Sequence, residues 1–435
     1  MTYKTAKLEN WQWAKEIRYK HYKKLMSARE KGIPIVAGSG HGPWSVIAGI
    51  GDFAALCGEP WSGSTGYYPD LSLACAEAAE ARGYGRDVCG YMKLYLGSMF
   101  LNRGPFGEFP KPDLIFQSLD CDLEPHWYNI VGKHLNVPVY FVEIGTDFNH
   151  LKPREASIQY LVDGYMRGIE WLEQKTGKKY NDELLIQAVT NNWESRRLWT
   201  EICEMQKAIP APLDIKSMFT LFIPAEINPH EAESVAFYKA LKDEVKHRVD
   251  NQIAAVPNER CRIIHDSVPP WYALHIFRYM EEYGVVAIGG SYVFTLSGSW
   301  VEAEDGHLKP MTSIPGVHIP PRTREEAVRI QAWIDMSVVR PVSSLDSAIF
   351  IWKSLVKDWH CQGAVFHVNR GCILMGYGMV EGSRALRAEG FPTMVYEASH
   401  VDKREWNESD VRDRIDSFME SLGLSKTLGT EKRTE

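Results

Sequence analysis

No apolar run in the chain is long enough to cross a bilayer. The most apolar stretch, Gly284 to Phe294, falls far short of about 20 residues and is broken by Gly-Gly-Ser. Basic residues are not in excess either: 49 Lys and Arg against 56 Asp and Glu leave a net charge of −7, which offers nucleic acid no general basic face. The opening MTYKTAKLENWQWAKEIRYKHYKK is polar and charged where a signal peptide needs an apolar stretch. Cysteine is sparse, eight in 435 residues with no C-x-x-C pair, which excludes a disulfide-stapled secreted module. A G-x-x-x-x-G-K-[ST] phosphate loop is missing, so ATP hydrolysis by a loop of that kind has no support. What is present is ordinary globular composition, 45% hydrophobic and 24% charged, enough for two or three domains at about 150 residues each. The expectation is a cytoplasmic protein with no membrane or nucleic-acid partner and with its thiols reduced.

Residues 1–32 read as a charged helical lead-in. Short β-branched runs at 33–37, 113–119 and 137–143 then alternate with helical segments at 43–56, 70–82, 88–101 and 123–135, the signature of a mostly parallel α/β sheet. This first lobe spans 33–151. Over 152–258 the strand signal vanishes and helices are expected at 157–175, 182–207 and 231–249, forming a helical bridge. A second α/β lobe follows over 259–423. Its strands are expected at 262–266, 285–294, 364–368 and 393–397, its helices at 271–283, 323–338, 342–358 and 374–388, with a terminal helix at 408–422. The tail 424–435 is expected to fray. The fold class is therefore α/β, two Rossmann-like lobes with mostly parallel sheets joined by a helical segment.

The two lobes share a pattern. Residues 113–143 and 364–397 each run strand, polar loop, one Cys, helix, and a Pro-led strand ending in Glu. This reads as two halves of related topology, although any two β-loop-α-β units look alike at this level. Ligands of open parallel sheets bind beyond the carboxyl ends of the strands, and Cys121 and Cys372 fall there. Cys89 falls in the first turn of its helix, with Asp87 as the expected cap. Helix N-termini stabilise thiolate, and three soft thiolates suit an iron–sulfur cluster or zinc with one position left open. Spacings of 32 and 251 residues match no compact metal motif, so three buried thiols remain the alternative.

Five stretches stand in one order: Arg86-Asp87-Val88-Cys89-Gly-Tyr-Met-Lys93, the Cys121 turn followed by Trp127, Pro269-Pro270-Trp271, Tyr283-Gly284-Val-Val-Ala-Ile-Gly-Gly-Ser291-Tyr292, and the Cys372 turn. In that order and spacing the chain, from about 35 to 420, resembles the benzoyl-CoA reductase/2-hydroxyacyl-CoA dehydratase family, nearest to the larger cluster-binding subunit of ATP-dependent benzoyl-CoA reductases. The resemblance implies a [4Fe-4S] cluster held by Cys89, Cys121 and Cys372 in the interlobe cleft. It also implies a paralogous second catalytic subunit, an ATPase activator carrying a bridging iron–sulfur cluster, and ferredoxin as upstream donor. The implied reaction is the two-electron dearomatisation of benzoyl-CoA in anaerobic aromatic degradation. The alternatives are a 2-hydroxyacyl-CoA dehydratase working through a ketyl radical, a subunit that only relays electrons, and a metal-free protein with buried thiols.

Other residues divide similarly. Gly38-Ser-Gly40-His41-Gly42-Pro43 follows a strand and opens a helix; His41 either faces the cleft as a catalytic group or sits solvated in a tight turn. His126 and Glu124, five and three residues past Cys121, are candidate proton donors, or a surface residue and a helix-start acid. Asp120 and Asp122 are expected to point away from Cys121 or to cap. Trp271 is either a cleft wall or an ordinary core residue. Cys57 and Cys75, both taken as helical, and Cys203, Cys261 and Cys361 read as packing.

Overall fold

The computed structural model describes residues 2–145 and 153–427. Most of the tail expected to fray lies outside them.

In the first half, α1 (Trp11–Ser27) precedes β1 (Ile35–Gly38), α2 (Trp44–Ile47), β2 (Ala54–Cys57), α3 (Gly58–Gly66), α4 (Pro69–Glu80), α5 (Gly90–Leu101), β3 (Leu114–Leu119), α6 (Glu124–Leu135) and β4 (Val139–Glu143). A helical stretch follows: α7 (Glu155–Thr176), α8 (Asp182–Met205), α9 (Ile215–Leu221), α10 (Ile223–Ile227) and α11 (Ala232–Asp250). The second half runs β5 (Cys261–Asp266), α12 (His275–Glu281), β6 (Val285–Ala287), α13 (Ser291–Thr295), β7 (Trp300–Glu302), β8 (Leu308–Pro310), α14 (Arg324–Ser343), α15 (Leu345–Asp358), β9 (Gly363–Asn369), α16 (Ile373–Gly376), α17 (Met379–Ala388), β10 (Thr393–Ala398) and α18 (Glu408–Ser421). Local chemistry sets many of these bounds. The Asn181 side chain accepts from two amides at the start of α8, the Thr323 hydroxyl from the Glu326 amide at the start of α14, and Asn102 and Asn136 end α5 and α6 in the left-handed region, φ 48° and 53°.

The strands form two sheets, ordered β2-β1-β3-β4 and β10-β9-β5-β6, all parallel within each sheet, beside the antiparallel β7–β8 hairpin. Two α/β lobes are therefore present. In a parallel sheet helices cover both faces, and β1, β2 and β5 are accordingly buried along their whole length. Chain order reverses between β1 and β3 in the first sheet and between β5 and β9 in the second. Those two switch points are where such sheets open a crevice. Among the described residues no helix is long and apolar enough to cross a membrane.

Four elements differ from expectation. The helix expected over 43–56 is a short α2, a turn and the strand β2, whose Ala-Ala-Leu-Cys pairs with Ile35–Gly38 of β1; Cys57 therefore ends a strand rather than a helix. The strand expected over 285–294 stops at Ala287, because Gly289 takes φ 131° and a Cβ on Gly290 would sit 2.2 Å from the His265 carbonyl oxygen, after which α13 begins. The helix expected from 271 opens with a 3₁₀ turn, and the one at 374–388 is split at Gly378, φ 69°. Neither α9, α10 nor the hairpin was anticipated.

The position of α5 depends on Gly97, where a Cβ would lie 1.9 Å from the Cys75 carbonyl oxygen of α4. We expect Gly97→Ala to lower stability by ~1–3 kcal/mol, read from denaturant midpoints. Gly63→Ala in α3, whose nearest neighbour would be 3.7 Å away, should be neutral or slightly stabilising. Equal midpoints for the two variants would contradict the close helix crossing.

A candidate active-site cleft between the two lobes

Both switch points face one cleft. From the first sheet, the loop after β1 brings His41 and the loop after β3 brings Asp120 and Cys121; from the second, the loop after β5 brings Trp271 and the loop after β9 brings Cys372. Cys89, at the start of α5, completes the set. The cleft holds about 1190 Å³ of space between atoms, solvent at its mouth included.

Cys89, Cys121 and Cys372 are the part-exposed cysteines of the chain; the other five are buried, as expected for packing residues. Cys89 and Cys372 cap α5 and α16, Cys121 lies in the loop three residues ahead of α6, and each thiol receives backbone N–H: Cys89 from Met92 and Tyr91, Cys121 from Leu123, Cys372 from Met375. Cys89 itself takes the cap position of α5, so Asp87 does not, and Asp87 is exposed. Burial still dominates. It pushes the Cys89 thiol up to about 11, and it raises Cys121 and Cys372 as well, with Glu124 and Cys372 adding to the first and Cys89 to the second. Three neighbouring thiols that oppose one another's ionisation, yet each receive amide hydrogen bonds, are a donor set that becomes anionic around a metal cation and stays neutral without one.

Beside them lies a buried acid–base cluster. His41 pairs through Nε2 with Asp120 and through Nδ1 with Glu226, 3.4 Å away. Burial disfavours the imidazolium, but the two carboxylates outweigh it and hold the His41 pKa well above its ordinary value. Burial likewise disfavours ionised Asp120 and Glu226, and His41 outweighs it, so both pKa values are lowered. Glu226 also accepts from the Ser297 hydroxyl. Glu124 behaves oppositely: burial and then Asp120 raise its pKa well above normal. Glu124 Oε2 accepts from the Asp120 amide, 3.2 Å, and from Gln117 Nε2, 3.1 Å. Glu59, whose Oε2 accepts from the Gly40 amide at 2.7 Å, is raised to about 7 by burial against the pull of His41. Ligand atoms of His41, Asp120 and Glu124 lie within 4.8 Å of one another, close enough for a divalent ion. The His41–Asp120 pair and a protonated Glu124 already close that network with protons.

The opposite wall is aromatic. The Trp271 indole N–H donates to the Tyr91 hydroxyl, and Phe219 packs on Trp271 at 5.4 Å between ring centroids; Tyr292 continues the wall. Trp271 lines the cleft and is at the same time buried against Phe219, so both readings of it meet in one side chain. His126 is exposed on α6 and does not line the cleft, which weakens it as a proton donor; Glu124 does line it. Asp120 turns to His41 rather than to Cys121, as expected, whereas Asp122, expected likewise to point away or to cap, is exposed and accepts from the Cys121 thiol at 3.6 Å. Sequence reading missed Glu59 and Glu226. Glu59 stands two residues past Cys57, at the carboxyl end of the unforeseen β2, and Glu226 lies on the unforeseen α10.

Two parallel α/β lobes that gather thiols, acids and an apolar wall at their paired switch points define the class, a two-lobed α/β protein with its candidate site in the interlobe cleft. A family model described as 2-hydroxyglutaryl-CoA dehydratase, D-component, matches residues 69–422, and the chain belongs to that family. The (R)-phenyllactyl-CoA dehydratase alpha subunit of Clostridium sporogenes is 24% identical over 363 residues, covering 82% of this chain and 81% of that protein. The (R)-2-hydroxyisocaproyl-CoA dehydratase alpha subunit of Clostridioides difficile is 22% identical, covering 82% and 83%. A benzoyl-CoA reductase subunit of Thauera aromatica is 20% identical, covering 80% of each chain.

Glu59 supplies a pH prediction. Its folded pKa of about 7 lies above its ordinary 4.5, so the folded chain binds the extra proton and stability falls as pH rises between those values. Glu59→Gln removes that loss. Relative to wild type it should gain stability between about pH 4.5 and 7 and level off above; denaturant midpoints across the range check this, and parallel curves would refute it.

Proposed function

We infer that this chain is a subunit of a 2-hydroxyacyl-CoA dehydratase, in which Cys89, Cys121 and Cys372 hold a [4Fe-4S] cluster. The observation that carries the reading is that the three part-exposed thiols, drawn from both lobes, share one cleft with an acid–base cluster and an aromatic wall. The donor set fits such a cluster: three soft sulfurs, each with amide hydrogen bonds, would leave one iron free of protein ligands. When bound, it supplies a low-potential electron and an open position for a substrate oxygen.

This chain's own residues do the proton work. Dehydration removes a hydrogen from C3 and the hydroxyl from C2 of the acyl chain, and no net electrons are consumed. Glu59, poised near neutral pH, is suited to accept the proton, and protonated His41 to deliver one to the departing hydroxyl. Trp271, Tyr91, Tyr292 and Phe219 suit an aryl or branched acyl group and keep water out. The relatives named as alpha subunits support a second, related subunit as partner, and the reading retains an ATPase activator as electron source. Ring reduction of benzoyl-CoA, the first expectation from sequence, has less support: dehydratase subunits at 22–24% identity stand against the reductase subunit at 20%.

Two measurements test this. Cys89→Ser, Cys121→Ser and Cys372→Ser should each lower iron and acid-labile sulfide in anaerobically purified protein, while Cys57→Ser and Cys203→Ser should not; equal iron in all five would remove the ligand assignment. With partner subunit and activator added, the complex should release water from an (R)-2-hydroxyacyl-CoA carrying an aryl or branched chain. Dearomatisation of benzoyl-CoA without dehydration would restore the reductase reading.

A further inference from the structure

The thiol cleft does not end at its aromatic wall. Tyr67 and Thr220 line both the cleft and an adjoining open groove of about 2150 Å³, which runs between the N-terminal segment, the start of α9 and α12. Helix α1 carries one face through both spaces. Trp11 and Lys15 line the groove, Arg18 and Tyr22 line the cleft, and spacings of four, three and four residues stack the four side chains along about 16 Å of helix.

Charge in the groove contrasts with the chain's net −7. Lys7, Lys15, Lys216 and Arg278 line it, and Asp214 is its acidic residue. Asp214 is occupied in capping α9, where it accepts from the Ser217 amide at 2.7 Å. Lys216 leans on Glu281 at 3.3 Å, whereas Lys7, Lys15 and Arg278 form no ion pair among the described residues. Lys15 lies 5.5 Å from the Trp11 ring centroid, so an aromatic face and a cation are presented together.

We propose that this groove seats the nucleotide end of a coenzyme A thioester. Lys15, Lys216 and Arg278 engage its phosphates, Trp11 stacks on the adenine, and the pantetheine arm follows the α1 face past Tyr67 and Thr220 into the thiol cleft. The inference rests on the acyl-CoA reading above and adds the placement. One ligand must be apolar where the cleft is aromatic and polyanionic where the groove is cationic, with a slim polar linker between; an acyl-CoA has those three parts in that order. The Ser217 and Thr220 side chains offer hydroxyls where the amides of the linker would pass.

The test is calorimetric titration of the cluster-loaded chain, with its partner subunit, against CoA, 3′-dephospho-CoA and pantetheine at low and moderate salt. CoA should bind more tightly than 3′-dephospho-CoA, and its affinity should fall with salt. Lys15→Glu, Lys216→Glu and Arg278→Glu should each weaken CoA about tenfold or more while leaving pantetheine and iron content unchanged; Lys133→Glu, at an exposed position of α6, should change nothing. Trp11→Leu should weaken CoA and 3′-dephospho-CoA alike. CoA bound at wild-type affinity by every groove variant would overturn the placement and leave the acyl-CoA reading standing. Variants that loosen the partner subunit instead of CoA would overturn it in favour of a protein interface. A wild-type complex that binds no CoA at all would overturn both readings.

Discussion

The His400 ring accepts a hydrogen bond at Nε2 from the Tyr91 amide, 3.1 Å, and contacts Asn369 Oδ1 through Nδ1 at 2.7 Å. An acceptor at one nitrogen requires the proton on the other, so Nδ1–H is the donor to Asn369. Tyr91 lies two residues past Cys89 and Asn369 three before Cys372; one neutral imidazole therefore fixes the first lobe's thiol against the second lobe's. Burial, with His367 and Lys93 nearby, lowers the His400 pKa to about 3, which keeps this tautomer throughout the physiological range. The same loop adds further ties. The His400 carbonyl accepts from the Trp271 amide, the Val401 carbonyl from the Ser72 hydroxyl, and Asp402 faces buried Lys93 at 3.6 Å. Cleft width, aromatic wall and thiol spacing all depend on this seam.

Within that frame, five ionisable groups in one small volume are driven apart by their surroundings. Asp120 and Glu226 stay charged because each contacts the His41 ring, whereas Glu124, without a cation of its own, keeps its proton. Glu59 lies between these extremes. Desolvation is the largest single effect on every one of them, and the sign of the outcome is decided by who touches His41. A single imidazolium thus sorts four carboxyls into two bases, one acid and one group near its midpoint.

Much of the fold was legible from period and length. Long amphipathic helices such as α7 and α8 and compact apolar strands such as β3 and β9 carry their own signal, and the position of a loop after a parallel strand says where its residues point. The three thiols followed from that rule together with family resemblance. What escaped were short elements whose residues lack intrinsic preference. Ala-Ala-Leu-Cys becomes β2 only because β1 is beside it, and without β2 there was no reason to place Glu59 at a strand end. Glu226 and the groove cations become visible only once α9, α10 and α1 are packed together, since neither spacing nor composition links Lys15 to Lys216 or Arg278.

The division of the three thiols between the lobes has a temporal consequence. Cys121 and Cys372 are 251 residues apart, roughly 13–50 s of ribosomal synthesis at about 5–20 residues per second. During that interval the first lobe displays two of the three sulfurs with no seam to complete the set. Assembly of the cleft is therefore a late event, gated by completion of the second lobe and docking of the His400 loop, and any loading of the site belongs to the finished chain rather than the nascent one.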